Sequence, residues 1–175
     1  MNLNGIKIGE IINLINNRHY NRIKSMIPSC PGIYKVFIRE EDRNKIKFGE
    51  AKTINGLEFR PPRLKKGKIN TKTVESVEVL EEKFKTIKDN ILYIGKSDNL
   101  YVRIKKFLRM ALGSQGHDGG INIFAVQNYM EYLYITWYPL SLNKEYSTAK
   151  DWEYDEIQKF KNEHNDKRPL ANLSD

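Results

Sequence analysis

Cysteine is almost missing from this sequence of 175 residues, in which Cys30 is the single example. One thiol cannot form an internal disulfide and gives no metal-ligand spacing, so a reducing, cytoplasmic setting is expected. No run of about 18 apolar residues is present, which predicts no membrane-spanning helix and no membrane partner. The first residues, MNLNGIKIGEI, lack the charged region and apolar core of a signal peptide. The sequence therefore predicts a cytoplasmic protein, and its length fits one domain over residues 1–175.

Acidic residues are outnumbered in the chain. The 22 Asp and Glu residues stand against 30 Lys and Arg residues, for a formal net charge of +8. Basic surfaces attract polyanions, so this balance favours nucleic acid as the partner. A basic protein without such a partner would have the same composition, so the choice between the two depends on the motifs.

A complete phosphate-binding loop is also missing. Residues Gly95, Lys96 and Ser97 match the last three letters of that pattern, but the glycine required five positions before Gly95 is replaced by Asn90. A nucleoside triphosphate site is therefore not expected here. We interpret Gly95 as the end of a strand, where the backbone or a DNA strand can approach closely, and Ser97 or Asp98 as the cap of the helix that follows.

Strands and helices alternate along the chain. Apolar residues at helical spacing between residues 6 and 27 predict one or two helices within an N-terminal helical segment, residues 1–30. Four glycines within residues 113–120 predict a loop. Stretches rich in β-branched and aromatic residues predict strands at 32–38, 91–95 and 132–138, and periodic stretches predict helices at 74–87, after Asp98 and at 147–163.

Two predicted helices carry charged residues beside their buried stripes. On a helical wheel, Arg103 lies at the edge of an apolar stripe, where it is either a snorkelling boundary residue or a guanidinium held rigidly against the sheet. Glu153 and Glu156 both lie among apolar residues of the last helix. Buried carboxylates are almost always paired or bound to a metal, so one of these two is expected to have a ligand. Periodicity does not say which.

Five ordered elements carry a family resemblance. PGIY at 31–34 precedes LYIGKSDNLYVRI at 92–104, in which Arg103 lies ten residues after Tyr93. AKDWEYDEIQKF at 149–160 places Glu153 four residues after Ala149, and RPLAN ends the pattern with Pro169 and Asn172. These motifs resemble the GIY-YIG nuclease superfamily, and HDGG at 117–120 with LYITW at 133–137 is similar to a branch that has a His-x-Gly-Gly loop.

The resemblance implies an α/β (α+β) fold, with a small three-stranded antiparallel sheet flanked by helices. It also implies metal-dependent hydrolysis of DNA, with Mg²⁺ or Mn²⁺ as the cofactor, and it selects Glu153 as the metal-binding carboxylate. Arg103 would brace the phosphoryl oxygens. A site of this kind cuts one strand, so double-strand cleavage needs a homodimer or two successive events.

Further catalytic residues follow from the same resemblance. Tyr34 or Tyr93 would orient or deprotonate the attacking water, and the sequence leaves open which of them does so. Lys96 is the cation expected to favour the phenolate, because the ordinary tyrosine pKa of about 10 makes a poor base. His117 would be a general acid or base, or a phosphate contact, with an exposed loop residue as the alternative. Asn172 would orient its neighbours within the site or cap the fold.

One departure from the family concerns the link between the first two strands. The two motif tyrosines are 59 residues apart, whereas the family joins these strands by a short connection. The insertion, residues 39–90, is either a DNA-contacting arm or a solvated loop whose lysines do nothing specific. The DNA-binding residues predicted in the insertion and in the helix after Asp98 are Arg60, Arg63, Lys65, Lys66, Lys68, Lys105 and Lys106.

Three functions are therefore weighed. The first is a DNA endonuclease of restriction, defence or mobile-element type. The second is a DNA-binding protein that keeps the fold without cleaving, and the third is a structural basic protein in which the motifs occur by chance. The presence of all five family residues, Tyr34, Tyr93, Arg103, Glu153 and Asn172, favours the endonuclease.

Overall fold

The computed structural model describes residues 4–57, 75–114 and 120–173. A mixed α/β fold is built on an antiparallel sheet with strand order β1-β4-β2-β3. Its strands are β1 (Ile6–Lys7), β2 (Gly32–Ile38), β3 (Ile91–Ser97) and β4 (Leu133–Pro139). Helices in these parts of the chain are α1 (Ile8–Asn16), α2 (Tyr20–Met26), α3 (Val77–Ile87), α4 (Leu100–Leu108), α5 (Tyr129–Tyr132) and α6 (Ala149–Glu163).

The predicted mixed fold and antiparallel sheet are confirmed, but the prediction of three strands is wrong. A fourth strand, β1, pairs Ile6 and Lys7 with Ile135 and Tyr134 of β4. Only two residues long, it leads directly into α1, so its residues cannot show the alternation by which a strand is recognised in a sequence. The remaining strands match the predicted ones to within a few residues.

The sheet separates two apolar layers. Strand register places Tyr34 opposite Gly95 and Trp137, and Val36 opposite Tyr93, so these residues share one face of the sheet. Buried residues of α1, α2 and α4 cover that face and form the main core with it. On the opposite face α6 packs against β3 and β2, with Trp152 against Tyr138. The two helices that carry Arg103 and Glu153, α4 and α6, therefore lie on different sides of the sheet.

The turn from β3 into α4 differs in detail from the prediction. The helix is capped by Asn99, whose side chain accepts a hydrogen bond from the Val102 N–H, and not by Ser97 or Asp98. Ser97 instead braces the turn, since its hydroxyl accepts from the Asn99 N–H and donates to the Asn99 carbonyl. Asparagine and serine are both good caps, so composition alone did not separate them.

The described parts of the insertion pack against the body of the protein. Phe48 forms an isolated β-bridge with Val126, and Ile46, Phe48 and Leu80 belong to the main core. Arg43 donates hydrogen bonds to the carbonyls of Phe84 and Asp89, which ties the end of α3 to a short 3-10 helix at Glu40–Lys45. Whether residues 39–90 contact DNA as an arm stays a prediction.

Within the described residues, no helix combines the length and the apolar character needed to cross a lipid bilayer.

Candidate active site at the edge of the sheet

The two motif tyrosines lie side by side beneath α4. Tyr34 of β2 is fully buried, Tyr93 of β3 is nearly so, and their ring centroids are 5.8 Å apart. Phe107 of α4 contacts both rings. Burial is the main cause that raises the pKa of each phenol, so both are held in the neutral form.

Gly95 makes room for the tyrosine pair. A Cβ atom at Gly95 would lie 2.7 Å from Cζ of Tyr34 and 2.8 Å from Cε1 of Tyr93, both too close for a real contact. The space expected for a backbone or a DNA strand is thus occupied by the Tyr34 ring. Gly120 adds a second close approach, because its Cβ would lie 3.3 Å from Tyr93 and its φ of +78° is one that other residues rarely adopt.

Arg103 extends from α4 to the tyrosine hydroxyls. Its guanidinium donates a hydrogen bond to the Tyr34 oxygen, and the Tyr93 hydroxyl donates to the same oxygen. The charge of Arg103 and both hydrogen bonds lower the pKa of Tyr34, against the larger effect of burial. The buried Arg103 Nε–H has no hydrogen-bond partner among the described residues. A donor of this kind is a natural site for an oxygen atom of a ligand.

Glu153 reaches the same region from α6. Its carboxylate accepts a hydrogen bond from the Lys96 backbone N–H, and the charges of Lys96 and Arg103 lower its pKa. Burial has the larger effect and raises the pKa of Glu153 above its ordinary value. Glu153 in turn raises the pKa of both tyrosines. Arg103, Glu153 and the tyrosine pair therefore form one electrostatic cluster.

Lys96 lies beside Glu153, on the opposite face of β3 from Gly95. Because side chains alternate along a strand, the residue after Gly95 faces α6 and not the tyrosine rings. The cation that lowers the pKa of Tyr34 is Arg103. The predicted effect of Lys96 on the phenolate stays a prediction, whereas its charge stabilises the ionised form of Glu153.

Glu156, the second carboxylate of α6, has a different partner. Its Oε2 lies 2.5 Å from the ammonium of Lys35 in β2, and both side chains are largely buried. Both candidate carboxylates thus have cationic partners within the protein, but only Glu153 interacts with Arg103 and the tyrosines. Lys35 is the one charged residue in the apolar stretch GIYKVFI at 32–38, and this position is the sequence signal from which a buried ion pair could have been expected.

Asn172 closes the outer edge of β3. Its amide donates to the carbonyl of Ile94 at 2.8 Å and accepts from the Ile94 N–H at 2.9 Å, while the N–H of Ala171 donates to the Leu92 carbonyl. These bonds replace the neighbouring strand that an edge strand lacks. Asn172 therefore fixes the strand that carries Tyr93 and Gly95. This contact is compatible with both predicted roles of Asn172, which were to orient neighbouring site residues and to cap the fold.

A divalent cation at this site would be coordinated by few protein ligands. Among the described residues, no group of three His, Cys, Asp or Glu side chains could share an ion. A carboxylate has two oxygens and about four acceptor positions, so Glu153 can bind the Lys96 N–H and still offer an oxygen to a metal. One carboxylate with several waters and substrate oxygens is a common arrangement for Mg²⁺. The donor set thus fits the expected Mg²⁺ or Mn²⁺.

Several predicted residues lie away from the cluster or outside the described parts of the chain. Lys105 and Lys106 are on α4, where Lys106 is exposed and Lys105 lies over the ring of Tyr101. The predicted residues outside the described parts are His117, Arg60, Arg63, Lys65, Lys66 and Lys68.

Comparisons with known proteins give no relative of this chain: no protein-family model, no curated protein and no solved structure matches it.

Proposed function

We propose that this protein is a metal-dependent DNA endonuclease whose site is built like that of the GIY-YIG nucleases. The proposal rests on one observation above all. Arg103 from α4 and Glu153 from α6 interact electrostatically beside the hydrogen-bonded pair of Tyr34 and Tyr93. The motif residues are far apart in sequence, yet they interact in one cluster beside β3. A positive charge, a carboxylate and a polarised hydroxyl are the groups that hydrolysis of a phosphodiester requires.

Arg103 would bind the phosphodiester. Its Nε–H is buried and has no partner among the described residues, and a phosphate oxygen would satisfy it. The guanidinium is planar and permanently charged, so it can hold a nonbridging oxygen while charge builds up there in the transition state. Its hydrogen bond to Tyr34 fixes the guanidinium in place before substrate arrives.

Tyr34 is the better candidate for the base of the two tyrosines. When ionised, its oxygen would accept hydrogen bonds from both Arg103 and Tyr93, and both lower its pKa. Tyr93 is less suited to be the base, because its hydrogen bond to Tyr34 raises the pKa of Tyr93 itself. The attacking water would pass its proton to the phenolate form of Tyr34, which regenerates the neutral phenol, as the new P–O bond forms and the bond to the leaving oxygen breaks. Tyr93 would hold Tyr34 in place.

Glu153 would hold the divalent cation, which supplies Lewis-acid stabilisation of the leaving oxygen. The chain's own contribution is to offset part of the effect of burial, which disfavours the ionised carboxylate. Lys96 does so twice, through its backbone N–H and through its charge. Since metal binding needs the ionised carboxylate, metal affinity is expected to rise with pH until Glu153 is fully deprotonated.

A non-cleaving DNA-binding protein is the second candidate, and one observation favours it. Burial raises the pKa of Tyr34, Tyr93 and Glu153 alike, so it opposes both the phenolate that would accept a proton from water and the carboxylate that would bind a metal. Such a site would bind a phosphate without activating water.

Cleavage of a supercoiled plasmid separates the two candidates. We expect relaxed circles with Mg²⁺ or Mn²⁺, none with a chelator, and none from the Arg103→Ala variant under any condition. Plasmid binding without nicking, across both metals and from pH 6 to 9, would favour the binding protein. Absence of both nicking and binding would overturn the proposal.

A further inference from the structure

Two of the described helices, α2 and α4, lie in segments that contain no acidic residue. Residues 11–39, which include α2, have none, and neither do residues 99–114, which include α4. This is unusual in a chain with 22 acidic residues. Acidic side chains concentrate instead in α3, α6 and the short 3-10 helix at Glu40–Lys45. The charge of the protein is therefore distributed unevenly.

The two acid-free segments are neighbours in the structure. The N–H of Tyr101 donates to the carbonyl of Pro28 at 3.1 Å, and the N–H of Leu100 donates to that of Cys30 at 3.0 Å. Lys105 of α4 bridges the two helices, since its ammonium lies 5.4 Å from the ring centroid of Tyr20 and 4.6 Å from that of Tyr101. Cation–π contacts on two rings hold this charge in one place.

The exposed basic residues form a continuous stripe. On α2, Lys24 lies one turn after Tyr20 and thus on the side that faces Lys105. On α4, Lys106 lies one turn after Val102, and Arg109 follows directly after the helix, at the start of a 3-10 helix at Arg109–Leu112. Lys24, Lys106 and Arg109 are all exposed, and no ion pair between described residues involves any of them.

The stripe leads to the proposed catalytic cluster. Lys106 lies three residues after Arg103, a spacing at which side chains of a helix are neighbours, with Cβ atoms about 5–6 Å apart. Arg103 is on the flank of α4 that faces the tyrosines, and Lys105 is on the flank that faces α2. A polyanion that crosses the outer surface of α4 would thus meet Lys24, Lys105 and Lys106 before it reaches Arg103.

We infer that α2 and the outer face of α4 form a track for the phosphates of duplex DNA, with Lys24, Lys105, Lys106 and Arg109 as its contacts. The inference rests on the proposed function, because it concerns how that substrate approaches Arg103. It assigns a binding role to the N-terminal helical segment, whose basic residues lie far in sequence from the cluster. Phosphate contacts carry no sequence information, so the track would position DNA without selecting a site.

The test is the salt dependence of binding to a short duplex DNA, measured in a chelator so that no cleavage occurs. Each lost phosphate contact lowers the slope of log K against log salt by about 0.9. The triple variant Lys24→Ala, Lys106→Ala, Arg109→Ala is expected to lower the slope by about two to three. A matched triple, Arg22→Ala, Lys47→Ala, Lys85→Ala, removes the same charge from exposed positions outside the track, and Arg22 lies on the opposite side of α2 from Tyr20. Its slope should equal that of the wild type.

The outcomes separate this inference from the proposed function. If the wild-type protein nicks DNA while the two triple variants show the same slope, the track is refuted and the endonuclease stands. Tighter binding of the wild-type protein to RNA than to duplex DNA of equal length would also refute the track. Thermal unfolding of each variant is the control, and it should show that the exposed substitutions leave the fold intact. In cleavage assays the track variant should raise KM and keep kcat, since none of its residues contacts the tyrosines.

Discussion

Replacing Glu153 by glutamine separates the stability of the proposed site from its activity. Glutamine has the same shape, and its carbonyl can still accept the hydrogen bond of the Lys96 N–H. A neutral hydrogen bond contributes about 1 kcal/mol to stability, so keeping it avoids an orphaned N–H at the edge of the sheet. Glutamine cannot provide the negative charge that a divalent cation needs. We therefore expect a folded protein whose cleavage is at least about a thousand-fold slower, which corresponds to roughly 4 kcal/mol of lost transition-state stabilisation.

The same substitution should change the pH dependence of stability in a defined direction. Burial raises the pKa of Glu153 above its ordinary value of 4.5, so the folded state binds this proton more tightly than the unfolded state. The wild-type protein therefore loses stability as pH rises from about the ordinary carboxyl pKa through the raised one. The variant has no proton to lose. Relative to the wild type, Glu153→Gln should be equally stable at low pH and more stable at neutral pH without metal.

Glu156 provides the matched control on the same helix. In Glu156→Gln the ammonium of Lys35 loses its carboxylate partner in a largely buried position. The glutamine carbonyl can still accept a hydrogen bond from this ammonium, but no negative charge remains to compensate it, and an uncompensated buried charge costs up to about 3–5 kcal/mol. This variant should unfold more easily and yet cleave DNA at close to the wild-type rate when folded.

Denaturant unfolding at pH 5 and pH 8, together with plasmid nicking in Mg²⁺, measures both effects. The reasoning predicts opposite outcomes for the two variants: Glu153→Gln stable and inactive, Glu156→Gln less stable and active. Wild-type nicking by Glu153→Gln, or loss of nicking by a fully folded Glu156→Gln, would refute the assignment of the metal-binding carboxylate.

Three further predictions concern the residues around this carboxylate. Arg103→Lys keeps the charge but loses the planar fork, so nicking should fall by about a hundred-fold or more, whereas a near-normal rate would show that charge alone suffices. Gly95→Ala places a methyl group within 2.8 Å of both tyrosine rings, and denaturation should report a loss of about 1–3 kcal/mol together with reduced nicking. Burial raises the pKa of Tyr34, so if Tyr34 is the base, the nicking rate should increase with pH through the alkaline range. The variant Tyr34→Phe should lose this pH dependence. A wild-type rate that does not change with pH would exclude this role.

Much of the fold was predictable because its patterns are local. Stretches rich in β-branched and aromatic residues predicted β2, β3 and β4, and periodic apolar residues predicted α4 and α6, whose buried faces contain Leu100, Ile104, Trp152 and Ile157. The strand β1 was missed because two residues cannot display a period. The pairing of Lys35 with Glu156 was missed because it joins residues 121 positions apart, and no local pattern encodes such a distance.

The candidate site could be predicted only as a set of residue types. A helical wheel placed Arg103 at the edge of an apolar stripe and Glu153 among apolar residues, which showed that each was unusual but not that they interact. Their meeting depends on the order of the strands, since β3 lies at the edge of the sheet and helices on opposite faces can both reach its outer side. Strand order is a tertiary property, and the alternation of apolar residues is the same for an edge strand and a central strand.

The position of β3 at the edge of the sheet also gives a reason for a carboxylate at position 153. The outward backbone groups of β3 at Leu92, Ile94 and Lys96 find partners in Ala171, Asn172 and Glu153. A neighbouring strand would satisfy all of them, but its backbone would offer no carboxylate at this edge of the sheet. A carboxylate satisfies one N–H with one oxygen and keeps acceptor capacity for a ligand. Under the proposed function, Glu153 would both complete the sheet and hold the cation, and only the second of these roles should be lost when its charge is removed.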